Sequence, residues 1–218
     1  FVQITGGGYH SLALKSDGSL TSWGRDNYGQ VSNTPVASGF TQVSGGCGSH
    51  SLAVHSNGSV YAWGQDNVGQ VSSTPSGTDF VQAAGGYYHS LALRSNGLID
   101  SWGNDAFNQV TNTPSSSDFT QIAGGAQHSL ALRSNGSIVS WGSNSSGQVT
   151  NTPSGNDFVQ VDGGGLHSIA LRTDGSIASW GSNTYGQVAG TPAGTDFVQV
   201  AGGYYHSLAL RSDGSIVS

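Results

Sequence analysis

Short runs of alternating apolar and polar residues fill this chain, and the same alternation returns about every forty residues. Between His167 and Arg172, Ile169 and Leu171 alternate with Ser168 and Ala170. A period of two predicts a strand with two unlike faces. Ahead of it, Phe158-Val159-Gln160-Val161 predicts a first strand that ends at Gly163-Gly164, a pair free to adopt positive φ. Behind it, a Thr-Asp-Gly or Ser-Asn-Gly step is a hairpin signal leading into a third strand, Ser176 to Trp180. Gln187-Val188-Ala189, closed by Thr191-Pro192, predicts a fourth strand on an outer edge, where the missing proline N–H is harmless. Nothing resembles an amphipathic helix.

The register is set by Phe1, Phe40, Phe80, Phe119, Phe158 and Phe197, spaced 39, 40, 39, 39 and 39 residues apart. The one extra residue lies in the loop SGGCGSH before His50. This period in β-like sequence predicts propeller blades or another repeat array. Large leucine faces alternate with small Ser/Ala faces, so each unit needs a neighbour to cover it, and stability should reside mainly in the interfaces between units. The expectation is an all-β propeller of four-stranded antiparallel blades, seven when complete. This chain supplies five of them (1–39, 40–79, 80–118, 119–157, 158–196) and part of a sixth (197–218).

Charge narrows the function classes. Of 218 residues only 8% are charged, against roughly 25% in ordinary domains. With no Glu, six basic residues and a net charge of −6, there is no footprint for nucleic acid. Arg94, Arg133, Arg172 and Arg211 share one repeat position, held elsewhere by Lys15 and His55. Cys47 stands alone, so no intrachain disulfide forms, and in its irregular loop it reads as a small tolerated residue. No apolar run approaches the ~20 residues of a membrane-spanning helix, so no membrane insertion is expected. The chain starts inside the pattern at Phe1 and stops at Ser218, just where Trp-Gly follows in other units, which reads as a fragment.

GGYYHSLALRSDGSIVS, with SWG and a Gly-Gln step in the preceding units, resembles the regulator of chromosome condensation repeat. The blade style, with its Thr-Pro ending, is similar to a bacterial beta-lactamase inhibitor protein of that superfamily. The resemblance spans the chain and implies a seven-bladed propeller. It implies no single function, because the family includes a nucleotide exchange factor, enzyme inhibitors and extracellular repeats.

The invariant residues read as parts of the fold. His10, His50, His89, His128, His167 and His206 lie at equivalent positions on stacked sheets about 10 Å apart, too far to share a metal. Hydrogen bonding to backbone at the Gly-Gly corner is expected of them instead. The serines beside them point to the opposite face of each strand, which argues against a catalytic triad. Gln3, Gln42, Gln82, Gln121, Gln160 and Gln199 suit amide hydrogen bonds between blades, and Asp17, Asp174 and Asp213 suit hairpin turns. No helix follows the glycine corners, so they do not form a phosphate loop. Neither enzyme chemistry, a metal nor a cofactor is expected.

Positions that vary between units are the better candidates. The loops after the first and third strands share one rim, which collects Tyr9, Tyr87, Tyr88, Tyr204 and Tyr205 from one set and Tyr28, Asp105, Phe107 and Tyr185 from the other. Aromatic anchors beside Asp and Asn resemble a protein-binding surface. The resemblance to the inhibitor implies the same for Tyr9, Tyr88 and Tyr205, whereas Ser49, Gln127 and Leu166 depart from it. The expected function is a non-enzymatic, bacterial scaffold at or outside the cell surface that grips another protein. The alternatives are a carbohydrate-binding, lectin-like propeller and a purely structural extracellular module.

Overall fold

The computed structural model describes residues 1–218 and contains six antiparallel sheets of three strands, one per repeat unit. In the third unit the strands are Phe80–Gly85, His89–Arg94 and Ile99–Gly103, with the central strand paired on both sides. The sixth unit ends in a short third strand, Ile216–Val217.

The segment expected to form a fourth strand is a run of turns in every complete unit. Its backbone is diverted by the acid or amide at its start. Asp105 Oδ1 accepts from the N–H groups of Val110 and Thr111 at 2.8 and 2.9 Å, and Asn183 Oδ1 does the same for Val188 and Ala189 at 3.0 and 2.8 Å. Such side-chain acceptors compete with strand pairing for backbone donors. A left-handed residue completes the turn: Gly29, Gly69, Gly147 and Gly186 in four units, and in the third Asn108, the one non-glycine with positive φ, at 59°.

Units stack as the alternation requires. Leu91, Leu93 and Ile99 of the third unit pack against Phe119, Ile122, Ala131 and Trp141 of the fourth. The same large-on-small packing joins the first unit to the second, the second to the third, the fourth to the fifth and the fifth to the sixth. Trp63, Trp102, Trp141 and Trp180 are buried against the preceding unit, whereas Trp23, in the first unit, is 51% exposed.

Two local features differ from the sequence expectation. In the hairpin turn it is the glycine alone, such as Gly97 at φ 82°, that takes the left-handed conformation. The Asn96 side chain instead accepts from Leu98 N at 3.0 Å, as in a type I turn followed by a bulge. The Gly-Gly pairs, by contrast, have ordinary φ apart from Gly46 in the irregular loop, at 60°. Space is what they need: a Cβ on Gly124 would lie 2.6 Å from Gly85 O, and one on Gly86 would lie 2.1 Å from His89 Cε1.

Candidate functional site

The loops after the first and third strands do form one rim. A main-chain hydrogen bond ties them in each complete unit: Arg25 N to Tyr9 O at 2.9 Å, Gln65 N to Ser49 O at 3.0 Å, Asn104 N to Tyr88 O at 2.9 Å, Ser143 N to Gln127 O and Ser182 N to Leu166 O at 2.8 Å. The inner loops converge on an axis, because contacts there skip units. Cys47 Sγ of the second unit lies 3.7 Å from Gly124 O of the fourth, and the rings of Tyr87 in the third unit and Tyr204 in the sixth are 6.2 Å apart.

That convergence assembles five tyrosines into one run. Tyr88 to Tyr87 is 4.5 Å between ring centroids, Tyr204 to Tyr205 is 4.6 Å and Tyr205 to Tyr185 is 5.0 Å, all edge to face. The geometry is the one aromatic quadrupoles favour. Tyr185 and Tyr205 are 68% and 57% exposed, Tyr204 is less so and Tyr87 is half-buried, and partial burial pushes the phenols of Tyr87 and Tyr204 up from the usual value. Tyr9 stands apart from the run with the Arg25 guanidinium 5.2 Å above its ring. Tyr28 and Phe107 are exposed on the outer margin and make no ring contact. Asp105 begins the loop that carries Phe107, with its carboxylate committed to the turn just described.

The histidines that recur in every unit bond differently from expectation. In the first five units Nε2 reaches a serine hydroxyl of the next unit rather than backbone at its own corner: His10 to Ser51 at 2.7 Å, His50 to Ser90 at 3.0 Å, His89 to Ser129 at 2.9 Å, and His128 to Ser168 and His167 to Ser207 at 2.8 Å. Stacking brings the serine of one sheet face onto the histidine of its neighbour, which an argument confined to one strand misses. Burial lowers the histidines, to about 4 for His50, 3 for His89 and 4 for His128, so they are neutral near pH 7. Ser90 Oγ donates onward to Gln70 O at 3.0 Å, so His50 donates from Nε2, and its Nδ1 meets no carboxylate. The pairs therefore lock units together and lack the acid that orients a catalytic base. His, Cys and Asp side chains nowhere gather in threes as a metal set would require.

Three positioning groups escaped the sequence reading. Gln30, Gln70, Gln109, Gln148 and Gln187 are buried, and the main-chain oxygens of the first four accept from the indoles of Trp63, Trp102, Trp141 and Trp180 at 2.9 to 3.1 Å. Their signal was the Gln that recurs in all five complete units directly after the loop's Gly or Asn. On the opposite rim, Arg94, Arg133, Arg172 and Arg211 lie over Phe80, Phe119, Phe158 and Phe197 and pair with Asp79, Asp118, Asp157 and Asp196. Asp162 holds a channel-side position where the equivalent residues are Thr5, Ser44, Ala84, Ala123 and Ala201, and burial raises it to about 6. Its Oδ2 accepts from Gly202 N of the next unit at 2.9 Å. Nearby Cys47 is pushed up to about 12, by burial first and then by the Asp162 charge, so it is no ready nucleophile.

The regulator of chromosome condensation (RCC1) repeat model matches residues 1–30, 40–70, 80–109, 119–148, 158–187 and 197–218. The chain belongs to the RCC1 repeat family. Solved propellers agree in fold. The ectodomain of the Physcomitrella patens receptor kinase CR4 is 23% identical with a TM-score of 0.81, and the match covers 96% of this chain and 61% of that one. Human WBSCR16 is 22% identical with a TM-score of 0.79, over 96% and 71% of the two chains. Prp20p of Saccharomyces cerevisiae, described with its binding to Gsp1p and histones, is 23% identical with a TM-score of 0.79, over 98% and 70%. The chain thus spans about three fifths of the moss ectodomain and somewhat more of the other two. No curated protein matches the sequence.

Proposed function

We propose that this chain is a non-enzymatic scaffold that binds another protein through the tyrosine-bearing rim of its propeller. One observation carries the reading: Tyr88, Tyr87, Tyr204, Tyr205 and Tyr185, drawn from three units, form an unbroken run of rings on one exposed rim. Tyrosine brings large contact area at small entropic cost, and contiguous aromatic anchors are where binding energy concentrates. The RCC1-repeat Prp20p binds proteins, which supports the class of partner but not its identity. Low charge and abundant Ser, Thr, Asn and Gly favour a place at the cell surface or outside it, and the repeat pattern favours a complete ring of seven blades.

The test compares the immobilised chain with a Tyr88→Ala/Tyr185→Ala/Tyr205→Ala variant. All three rings are exposed, so their removal leaves the core intact. Material captured from the source organism's own surface extracts should be protease-sensitive and lost with the variant. Capture that survives protease would transfer the rim to glycans, and capture indifferent to the substitutions would remove it from the site.

A further inference from the structure

The rim carries carboxylates in three units at a position where two others carry amides. Asp26, Asp66 and Asp105 begin the turn segment in the first three units, and each Oδ1 accepts two main-chain N–H groups: Val31 and Ser32 at 2.8 and 3.0 Å, Val71 and Ser72 at 2.9 Å, Val110 and Thr111 at 2.8 and 2.9 Å. In the fourth and fifth units Asn144 and Asn183 make the same pair of bonds, at 2.8 to 3.0 Å. The turn needs an acceptor there, which a carboxylate or an amide supplies equally well in geometry. Where the acceptor is Asp, the rim gains a negative charge, and three such carboxylates stand in consecutive units.

They are also exposed and ionised. Hydrogen bonds hold the carboxyl below the ordinary range: the N–H groups of Ser32 and Val31 at Asp26, and the hydroxyl and N–H of Thr111 at Asp105. One cation faces them, Arg25, and it is already engaged over the Tyr9 ring and within reach of the Asn27 amide. The other arginines lie at the far end of the second strand, paired with Asp79, Asp118, Asp157 and Asp196. The margin is therefore polarised, with an acidic crescent over the first three units, neutral amides over the fourth and fifth, and Tyr185, Tyr204 and Tyr205 over the fifth and sixth.

Building on the rim reading above, we propose that the partner's contact segment is cationic at one end and apolar at the other. Its Lys or Arg side chains lie over the Asp26–Asp66–Asp105 crescent and the neighbouring tyrosine faces, and its apolar residues lie on Tyr204, Tyr205 and Tyr185. Each tyrosine face attracts a cation through its ring quadrupole, and the flanking carboxylates add attraction of the same sign. The same field repels polyanions and acidic segments. The run of rings supplies contact area, and the crescent fixes which way round the segment binds.

A random dodecapeptide display library, selected in parallel on the unaltered chain, on Asp26→Asn/Asp66→Asn/Asp105→Asn and on Tyr88→Ala/Tyr185→Ala/Tyr205→Ala, tests this. The Asn variant copies what the fourth and fifth units already contain, so it folds. Peptides enriched on the unaltered chain are expected to join Arg or Lys to aromatic or aliphatic residues. They should lose about tenfold in affinity on the Asn variant, bind more weakly as salt rises, and fail on the Ala variant. Tyrosine-dependent peptides without a cationic excess, or indifference to the Asn variant, overturn the inference and leave the scaffold reading standing. A selection with no tyrosine-dependent binder overturns both.

Discussion

The side-chain amide of Gln82 pairs with the main chain of Ile122 in the next unit as a strand residue would: Nε2 donates to Ile122 O at 3.1 Å, and Oε1 accepts from Ile122 N at 2.9 Å. Gln3 and Val43, Gln42 and Ala83, Gln121 and Val161, and Gln160 and Val200 repeat the arrangement. These amides add a second ladder of polar links, beside the His–Ser pairs, between sheets whose strands do not pair. Gln82→Ala leaves a half-buried donor and acceptor without partners and is expected to cost about 1–3 kcal/mol in chemical denaturation. Gln82→Glu should cost more above pH 5, where its carboxylate faces Ile122 O. Equal midpoints for all three proteins would show the ladder to be ornamental.

Acid should weaken the protein through its buried histidines. His50, His89 and His128 ionise near pH 4, 3 and 4 when folded and near 6.5 when unfolded, because burial disfavours the cation. A lowered histidine contributes stability that is complete above pH 6.5 and falls away as pH drops toward the folded value. At pH 5 each such residue costs about 2 kcal/mol, so three together approach the whole stability of an ordinary domain. The denaturation midpoint should fall steeply from pH 7 to 5, and His89→Gln should flatten that fall. A level profile across this range would contradict the buried neutral state.

Asp162 should act in the opposite direction. Burial raises its carboxyl from 3.8 to about 6, so its contribution is full below pH 4 and is lost as pH rises through 6. Above that point the ionised group is a burden of about 3 kcal/mol, which Asp162→Asn removes while keeping an oxygen for Gly202 N. The variant should be more stable than the parent at pH 7.5 and no more stable at pH 4. A loss of stability at pH 7.5 would mean that the charge is compensated within the inner loops.

The indoles show how neighbours set energetics. Trp102 is 5% exposed and its Nε1 donates to Gln70 O at 3.0 Å, so Trp102→Ala is expected to cost about 3–5 kcal/mol. Trp23, at the same repeat position but half exposed, should cost less than about 1 kcal/mol. Melting curves of the two variants decide the matter, and comparable losses would refute the claim that Trp packs across, not within, a unit.

Features carried by one residue repeated at one position were legible in the sequence: the period, three strands of each unit, the leucine-on-alanine packing and the glutamine ladder. Others required comparing positions across units. Asp79, Asp118, Asp157 and Asp196 occur where Arg94, Arg133, Arg172 and Arg211 occur, whereas Gly39 accompanies His55. The pairing was there to be read, but the two positions lie fifteen residues apart. The fourth strand was misjudged because Val and Thr after Gln carry strand propensity, while a side-chain oxygen five residues upstream decides the backbone. Among the candidate site residues, Tyr9, Tyr28 and Phe107 are exposed as expected, yet the meeting of Tyr87 with Tyr204 depends on how tightly the units curl. No local pattern records that curvature.

Two glycines separate the reasons a repeat keeps this residue. Gly86 has ordinary φ, but a methyl group there would lie 2.1 Å from His89 Cε1 and 2.8 Å from Gly125 O of the next unit. The histidine ring cannot move aside without breaking its bond to Ser129, and the carbonyl belongs to a packed inner loop. Gly186 has φ 84°, and a methyl group there would meet nothing within 4 Å, so its constraint is conformational alone. Gly86→Ala should therefore cost well over about 3 kcal/mol by overpacking, while Gly186→Ala should cost about 1–2 kcal/mol, the left-handed penalty of an L-residue. The third unit already tolerates Asn108 at the corresponding place, so Gly186→Asn should recover most of the loss. Denaturation midpoints of the three variants give the order, and a Gly86→Ala protein as stable as Gly186→Ala would show that the inner loops are loosely packed around the axis.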